Sequence, residues 1–552
     1  ARCPIAEAYR CELELMVFGG GGAKDGRPGD EADHPARATR RQLGAWALGL
    51  GLAGPAAARA QLFPIPAIPA IPAPAPIIDP LVLQALAVDP RAQRFYTLRA
   101  WTAAWTEDQA KAFSAALEGA IRHGLDGAAF LPAATRDPAA REVALTLAAL
   151  TYADGLARGL VDPAAASQGL FTLERQGTDV AAGLSQALDR RELAVWLDRL
   201  APRDAEYQAL SAAYVALRTQ ISQATASAIP TGPAILPGGT DYRAPLIAQR
   251  LYDLGYLTGP PMASQTLSAP ISEAVKRIQA ENGMQATGKV GNDTIAVLNA
   301  GPADHARQLV LNLERRRWLR REAPATRIDV NTAGAFFTFF RNGVADWSGH
   351  TVVGSANRQT PSLQSSFSQL VVNPPWNVPA SIARAEIFPR GAGYLRRQNM
   401  YVTNGRVVQR PGPTAALGLV KFDMQNPYAI YLHDTPSKSL FARAARHRSH
   451  GCVRVENAVD FARHLAGLYG VTDRFEAVLA TGDTGVVQLG SDIPVRLLYH
   501  TAFVGEAGAV VYRSDPYGLD VKLAKAMGLD APRSTLNPEE AAPDPQSAPL
   551  GP

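Results

Sequence analysis

The sequence predicts a multidomain α+β protein, and three observations support this. Apolar residues recur with helical spacing across 79–223. The C-terminal part instead has strand-like runs, and Asn342-Gly343 stands between two of them as a hairpin turn. Stretches rich in proline and glycine, at 61–78 and 230–240, separate the patterns. A chain of 552 residues is also long enough for roughly three or four domains.

Residues 1–60 are predicted to be a leader that ends in a secretory signal. The pair Arg40-Arg41 precedes an apolar run of about 16 residues, and Ala58-Arg59-Ala60 has the small-x-small pattern of a cleavage site. The run is shorter than the ~20 residues of a membrane-spanning helix, although an N-terminal anchor is the alternative. The arginine pair is compatible with the twin-arginine route. We therefore expect an exported protein without an integral membrane domain after signal removal.

The composition favours some classes of partner over others. Charged residues make up 19% of the chain, and the net charge is only +5. There is no run of lysine and arginine with interleaved aromatic residues, so nucleic-acid binding is not supported. A weakly basic surface would suit an anionic polymer, but this charge alone decides nothing.

A single cysteine outside the leader is the leading candidate for chemistry. Cys3 and Cys11 lie in the leader, so Cys452 cannot form an intramolecular disulfide after signal removal. Cysteine attacks as a thiolate, and an imidazole such as that of His433, nineteen positions earlier, can accept its proton. Gly451 leaves the backbone beside the sulfur uncrowded. The pattern therefore indicates a nucleophile with a histidine base.

Two other interpretations of this cysteine compete with catalysis. A lone buried cysteine is often an inert small hydrophobic residue. His447, His450 and Cys452 offer nitrogen and sulfur ligands for zinc, but a fourth ligand is missing. The polar neighbours Ser449 and Arg454 favour catalysis over both.

The motif around Cys452 resembles the signature of the L,D-transpeptidases, which have a YkuD-type catalytic domain. That signature is a histidine, then 14 to 17 residues, then Ser/Thr-His-Gly-Cys, and 15 residues separate His433 from Ser449 here. The family usually has asparagine where this chain has Arg454. The form Ser-His-Gly-Cys-Val-Arg, with His-Asp-Thr-Pro upstream, is similar to the large periplasmic YcbB-like branch. The segments 354–361 and 373–383 match further motifs of that family and branch.

The resemblance implies a peptidoglycan L,D-transpeptidase that forms 3→3 cross-links between stem peptides. Cys452 would form a cysteinyl thioester with a donor tetrapeptide, and the side-chain amine of a diaminopimelate acceptor would resolve it. His433 would be base and then acid, oriented by Asp434 or by a backbone carbonyl. Ser449, His450 and Gly451 would shape the oxyanion region.

The resemblance also implies a substrate groove and a set of partners. Arg454 would bind a stem carboxylate or brace the loop, and Tyr431, Trp376 and Asn377 would line the donor groove. No cofactor or metal is needed, and carbapenems are expected as inhibitors. The expected location is the periplasm, in association with the cell wall. An L,D-carboxypeptidase or cross-link hydrolase with the same Cys/His site, and a non-enzymatic cell-wall-binding protein, remain alternatives.

These interpretations give a predicted domain organisation with a mostly β catalytic domain, a helical scaffold and a small three-helix module similar to the peptidoglycan-binding type 1 domain. The predicted boundaries are: leader and signal segment, 1–60; proline-rich linker, 61–78; helical scaffold, 79–235; three-helix module, 241–300; scaffold helix, 303–325; catalytic domain, 326–530, with a lid at about 384–413; disordered tail, 531–552.

Overall fold

The computed structural model describes residues 75–175, 177–221, 228–261, 263–282, 284–443, 445–505 and 508–531. The predicted leader, most of the proline-rich linker and the predicted tail lie outside the described residues. Over the ranges that are described, no helix has both the length and the apolar character needed to cross a membrane.

The first folded part is helical, and a repeated Asp-Pro pair begins several of its helices. The carboxylates of Asp79, Asp89, Asp137 and Asp162 each accept a backbone N–H in the first turn, and proline follows each of them at the first helical position. This combination satisfies otherwise unpaired N–H groups and presets φ for the helix. The helices are α1 (Pro80–Leu86), α2 (Pro90–Leu98), α3 (Glu107–Glu118), α4 (Pro138–Arg158), α5 (Pro163–Ala166), α6 (Val180–Asp189), α7 (Leu193–Leu200) and α8 (Ala205–Ile221).

A small helical module follows, and it begins earlier than the sequence predicts. Its helices are α9 (Ala244–Asp253), α10 (Ala269–Glu281) and α11 (Asn292–Asn299). Ile229 and Ile235 are buried in the core of this module, and the backbone of Ile235 pairs with Val290. The stretch 230–240 was predicted to be a linker, but part of it completes the core of the module.

Helix α12 (Pro302–Arg317) returns the chain to the scaffold and also contacts the C-terminal domain. Leu309 and Leu313 on α12 belong to the scaffold core. On its other side, the Asn312 amide donates to Thr501 Oγ1 over 2.8 Å and accepts the Thr501 N–H over 3.0 Å. Because these polar groups are buried and paired with each other, the two domains meet in a fixed geometry.

The C-terminal domain is a mainly β structure with a barrel-like sheet. Its strands are β1 (Arg327–Asn331), β2 (Phe336–Arg341), β3 (Val344–Gly354), β4 (Leu363–Val372), β5 (Trp376–Asn377), β6 (Met400–Thr403), β7 (Arg406–Gln409), β8 (Val420–Phe422), β9 (Leu432–His433), β10 (His447–Ser449), β11 (Val453–Val455), β12 (Gly485–Leu498), β13 (Ala502–Val504) and β14 (Val510–Tyr512). The strand order in the main sheet is β10-β3-β11-β9-β8-β4-β12-β1-β2, and β3 also pairs with β2. Helices α13 (Ala380–Ile382), α14 (Gly391–Arg397), α15 (Ala458–Leu468), α16 (Thr472–Thr481) and α17 (Leu519–Met527) accompany them. The predicted α+β fold with a helical scaffold and a mostly β domain is confirmed.

Local sequence signals explain the start of this domain. Asn342 and Gly343 have φ values of 52° and 83°, the left-handed geometry of a tight hairpin turn between β2 and β3. Phe337 and Phe339 point into the barrel, where both rings contact Phe461 of α15 at centroid distances of 5.1 and 5.8 Å. The predicted hairpin is therefore present, and α15 packs against its apolar face.

The predicted lid is a small folded unit with its own core. Strands β5, β7 and β6 form a three-stranded sheet, and Trp376 of β5 and Val407 of β7 are buried in one cluster with Ile387. The unit begins at Trp376 and its core extends to Leu417, so it is larger than the predicted interval. We call residues 376–417 the lid.

Candidate active site

Two parallel strands bring the cysteine and histidine of the motif together. In the register of β9 and β11, Leu432 lies opposite Val453 and His433 lies opposite Arg454. Side chains alternate between the two faces of a strand. Tyr431, His433, Cys452 and Arg454 therefore lie on one face of the sheet, with the Cα atoms of His433 and Cys452 roughly 8 Å apart by strand geometry.

The thiol of Cys452 is buried, with 6% of the residue exposed. Its sulfur lies 3.7 Å from the carbonyl oxygen of Ala429. Burial raises the pKa of the thiol to about 11, while Tyr431 and the positive charges of Lys421 and Arg454 act in the opposite direction. In this conformation the thiol is therefore neutral at pH 7.

The ring of His433 is fully buried and fixed by its neighbour in sequence. Its Nδ1 is hydrogen-bonded to the backbone carbonyl of Asp434. A carbonyl can only accept, so Nδ1 carries the proton and Nε2 has the lone pair. Nε2 has no hydrogen-bond partner among the described residues. Burial, together with the charge of Arg454, lowers the pKa of His433 to about 3, so the ring is a neutral imidazole with an unused acceptor.

The carboxylate of Asp434 does not orient His433. It accepts the Leu419 N–H over 2.9 Å and pairs with Lys438. Gly418 makes this arrangement possible, because a Cβ there would lie 2.3 Å from the Asp434 carboxylate and because its φ is +59°. Of the two orienting groups left open by the sequence, the contact observed is the backbone carbonyl.

The loop before Cys452 is braced by hydroxyl groups. Ser449 Oγ donates to the Cys452 carbonyl over 2.6 Å and accepts the Gly451 N–H over 3.0 Å. Thr360 Oγ1 donates to the Gly451 carbonyl over 2.7 Å. Gly451 has a φ of +124°, a conformation that favours glycine. Its N–H is thus occupied by Ser449 in this conformation, whereas the sequence suggested that it could face an oxyanion.

Arg454 is a buried cation beside the thiol. The residue is 3% exposed, and burial lowers the pKa of its guanidinium to about 10. Among the described residues no carboxylate pairs with it, and its Nε has no acceptor. Buried guanidinium groups are normally paired with an anion, so this one can favour the thiolate form of Cys452.

The aromatic residues predicted for the groove have different positions. The Lys421 ammonium lies 4.4 Å from the Tyr431 ring centroid, and the Tyr431 ring packs edge-on against His433 at 5.7 Å. Trp376 is fully buried in the lid core. Asn377 is exposed on β5, where it pairs with Val408. The structure thus places Tyr431 at the Cys/His pair, Trp376 inside the lid and Asn377 on the lid surface.

Residues 325–488, which contain this site, match the family described as L,D-transpeptidase catalytic domain. This stretch is an L,D-transpeptidase catalytic domain. Residues 90–213 match the family described as Scaffold domain, and 245–298 match the one described as "Putative peptidoglycan binding domain". The resemblance seen in the sequence is therefore confirmed in all three parts.

The chain is similar to a curated protein and to several solved structures, two of which are described below. A Haemophilus influenzae protein named "Putative L,D-transpeptidase" is 35% identical over 218 residues, covering 35% of this chain and 44% of that protein. The chain thus spans less than half the length of this relative. The Ldtfm-avibactam carbamoyl enzyme has 13% identity and a TM-score of 0.18, covering 32% of this chain and 49% of the other. The L,D-transpeptidase from Xylanimonas cellulosilytica has 15% identity and a TM-score of 0.16, covering 49% and 98%.

The L,D-transpeptidase domain also contains an ionic contact that the sequence did not reveal. Glu386, in the lid, lies 2.7 Å from His450 Nε2 and 2.8 Å from an Arg358 nitrogen, through the same carboxylate oxygen. His450 belongs to the loop that leads to Cys452, and Arg358 belongs to the loop after β3. Glu386 therefore joins the lid to the motif across 64 residues of sequence. No local pattern marks such a contact, because neither partner is near Glu386 in the chain.

Proposed function

We propose that the protein is a peptidoglycan L,D-transpeptidase that forms 3→3 cross-links through a cysteinyl thioester. The observation that carries this proposal is the Cys/His pair on one face of β9 and β11. The Nε2 of His433 is unprotonated and has no partner in the described part of the chain, as a general base requires. The family match at 325–488 supplies the reaction class.

In the proposed acylation step, the sulfur of Cys452 attacks the carbonyl of the diaminopimelate L-centre in a donor tetrapeptide. His433 Nε2 takes the thiol proton and then gives it to the amine of the terminal D-Ala, which leaves. The product is a thioester. In the second step, His433 takes a proton from the acceptor amine as this amine attacks the thioester carbonyl, and Cys452 leaves as a thiolate.

We further propose that Arg454 stabilises the thiolate of Cys452. It is a buried cation that interacts electrostatically with Cys452 and has no carboxylate partner in the described part of the chain. A stem carboxylate can reach it only after a rearrangement, because the residue is 3% exposed. The predicted carboxylate-binding and loop-bracing roles are therefore weaker proposals than thiolate stabilisation.

The remaining parts of the protein fit a role at the cell wall. The module matching the peptidoglycan binding family would hold the enzyme on its polymer. Export to the periplasm follows from the predicted signal and from the location of that substrate. Carbapenems, whose strained carbonyl is open to thiolate attack, would acylate Cys452.

Product analysis with a purified tetrapeptide tests the reaction. Cross-linked dimer is the expected product, whereas tripeptide alone would identify an L,D-carboxypeptidase with the same thioester. Cys452→Ala should abolish dimer formation and the carbapenem adduct, which peptide mapping locates. Wild-type turnover in that variant would refute the assignment.

A histidine pair tests the base. His433→Ala should lower the rate of acylation by roughly 10²-fold or more, a typical general-base contribution. His464→Ala is the matched control, because His464 lies on α15 and pairs with Asp346 outside the site. Loss of activity in His450→Ala with retention in His433→Ala would show that the base has been misassigned.

A further inference from the structure

The loop that leads to the thiol lies against the loop that follows β3, residues 354–360, which we call the bracing loop. The Ser355 N–H donates to the Ser449 carbonyl over 3.0 Å. Thr360 Oγ1 donates to the Gly451 carbonyl over 2.7 Å. Two carbonyls just ahead of the thiol are thus held by hydrogen bonds from the bracing loop. The position of the sulfur therefore depends on what fixes the bracing loop itself.

The two ends of the bracing loop meet, and one hydroxyl group bridges them. Within the loop, the Gly354 N–H donates to Thr360 Oγ1 over 2.9 Å, and a Cβ on Gly354 would collide with the Arg358 carbonyl oxygen. The Tyr517 hydroxyl donates to the Gly354 carbonyl over 2.7 Å. The Thr360 N–H donates to the same hydroxyl over 3.4 Å. Tyr517 therefore bonds to the first and the last residue of the bracing loop.

Tyr517 is itself held through its ring and its backbone. It is 4% exposed, and its ring stacks on that of Tyr499 at a centroid distance of 5.3 Å and packs edge-on against His447 at 5.7 Å. Its N–H donates to the Tyr499 hydroxyl over 3.2 Å. Its carbonyl accepts from the Gln359 side chain over 3.3 Å. Because packing and hydrogen bonds lock this side chain, its hydroxyl has a defined position.

The segment that contains Tyr517 is also joined to the scaffold. The Asp515 carboxylate accepts the Asp520 N–H over 2.8 Å, and the Tyr499 hydroxyl donates to the same carboxylate. Asp520 in turn forms a buried ion pair with Arg315 of α12. Breaking a buried ion pair of this kind is costly, so the segment keeps a fixed place relative to α12.

We propose that Tyr517 is a positioning residue for the reaction at Cys452, and that it acts through the bracing loop. Its hydroxyl fixes both ends of this loop, and Thr360 extends the constraint to Gly451, the residue before the nucleophile. A misplacement of about 1 Å can cost roughly 10²-fold in rate. The stretch that matches the catalytic family ends at residue 488, so Tyr517 lies outside it. The proposal rests on the proposed function, because the sulfur must be the nucleophile for its position to matter.

Single-turnover acylation of the full chain by a carbapenem tests the proposal. Rates at several carbapenem concentrations give the rate constant at saturation and, separately, the half-saturating concentration. Tyr517→Phe removes only the hydroxyl and should lower the saturating rate constant about tenfold or more, because the bracing loop loses its bridge. The half-saturating concentration should change by less than about twofold, since the variant affects the position of the sulfur and not the binding of the carbapenem.

Tyr96→Phe is the matched control. It also removes one buried hydroxyl, which is hydrogen-bonded to Thr146 over 2.9 Å within the scaffold. Melting temperatures then compare the structural cost of the two substitutions. Tyr96→Phe should keep the wild-type saturating rate constant, whereas Tyr517→Phe should not.

Variants of Thr360 test the link from the bracing loop to Gly451. Thr360→Val removes the hydroxyl at nearly constant volume and should lower the saturating rate constant. Thr360→Ser keeps a hydroxyl and should restore most of the rate lost in Thr360→Val. In the double variant Tyr517→Phe/Thr360→Val, the loss should be smaller than the product of the two single losses, because both substitutions act on the same set of contacts.

Four results in folded variants would overturn the proposal. These are a wild-type saturating rate constant in Tyr517→Phe, equal losses in Tyr517→Phe and Tyr96→Phe, a change confined to the half-saturating concentration, and independent losses in the double variant. If Tyr517→Phe does not fold, a wild-type rate constant in Thr360→Val, or no recovery in Thr360→Ser, overturns the proposal instead. Failure of the proposed function would look different: the folded wild type would not be acylated at all, which would refute both proposals.

Discussion

Replacing Glu386 with glutamine would remove a charge that joins the lid to the loop leading to Cys452. In the wild type one carboxylate oxygen of Glu386 contacts both His450 and Arg358. Cys452, two residues after His450, is only 6% exposed. We therefore expect the lid to restrict access to the thiol and Glu386→Gln to open the lid more often.

The size of this effect follows from the exposure of the three groups. The Arg358 side chain is 44% exposed, so its pair with Glu386 contributes at most about 0.5 kcal/mol. The contact with His450 is less exposed, at 20% and 25%, and contributes about 1 kcal/mol. A total of about 1–2 kcal/mol corresponds to a change of roughly 5- to 30-fold in the open population.

The assay is the rate at which a small thiol reagent modifies Cys452 at fixed pH, followed by peptide mapping. Glu386→Gln should raise this rate by about 5- to 30-fold, and Arg358→Gln should raise it less because the contact with His450 remains. Glu476→Gln is the matched control, since it removes a carboxylate that pairs with Arg463 on the surface. An unchanged or slower rate in Glu386→Gln, with a wild-type melting temperature, would refute the idea that this contact restricts access.

Three further predictions concern stability and domain boundaries. Gly418→Ala should destabilise the protein by about 1–3 kcal/mol and slow acylation, because the new methyl group would displace Asp434. Denaturation and acylation assays measure the two effects. Gly259→Ala is the control and should have neither effect, because a Cβ there meets open space. Burial lowers the pKa of His123 to about 3 in the folded state, so below pH 6.5 the unfolded state binds the extra proton and stability falls as the pH drops from about 6.5 to 3. His123→Gln should reduce the pH slope of the unfolding free energy in this window by up to about 1.4 kcal/mol per pH unit, and an unchanged slope would contradict the assignment. Deletion of residues 229–300, with the ends joined by a short linker, should leave carbapenem acylation intact and weaken binding to peptidoglycan sacculi in a pull-down. Unchanged sacculus binding would argue against a wall-binding module.

Features that depend on neighbouring residues could be predicted from the sequence. The turn at Asn342-Gly343 and helix α15 (Ala458–Leu468) were predicted and are present, because turn geometry and apolar spacing are local properties. The motif from His433 to Cys452 also identified the two residues that β9 and β11 place on one face. A fixed spacing was sufficient in this case because the motif spans adjacent strands.

Features that depend on contacts between distant segments were missed or misplaced. Residues 230–240 look like a linker by composition, yet Ile235 packs in the module core because Val290 pairs with it 55 residues later. The extent of the lid was underestimated because its core joins Trp376 to Leu417 across a segment with little alternation. Glu386 has no local signal, since its role exists only when the lid folds over His450.

The burial that holds Cys452 and His433 in place also keeps both groups neutral in this conformation. Burial raises the pKa of Cys452 and lowers that of His433, so both groups are neutral and proton transfer between them is unfavourable. Movement of the lid would let water or substrate reach both groups, which would bring the two pKa values closer together and expose the sulfur. Arg454 and Lys421 are positive charges that favour the thiolate. We therefore expect access and activation to be coupled through the lid, and the contact at Glu386 to affect both.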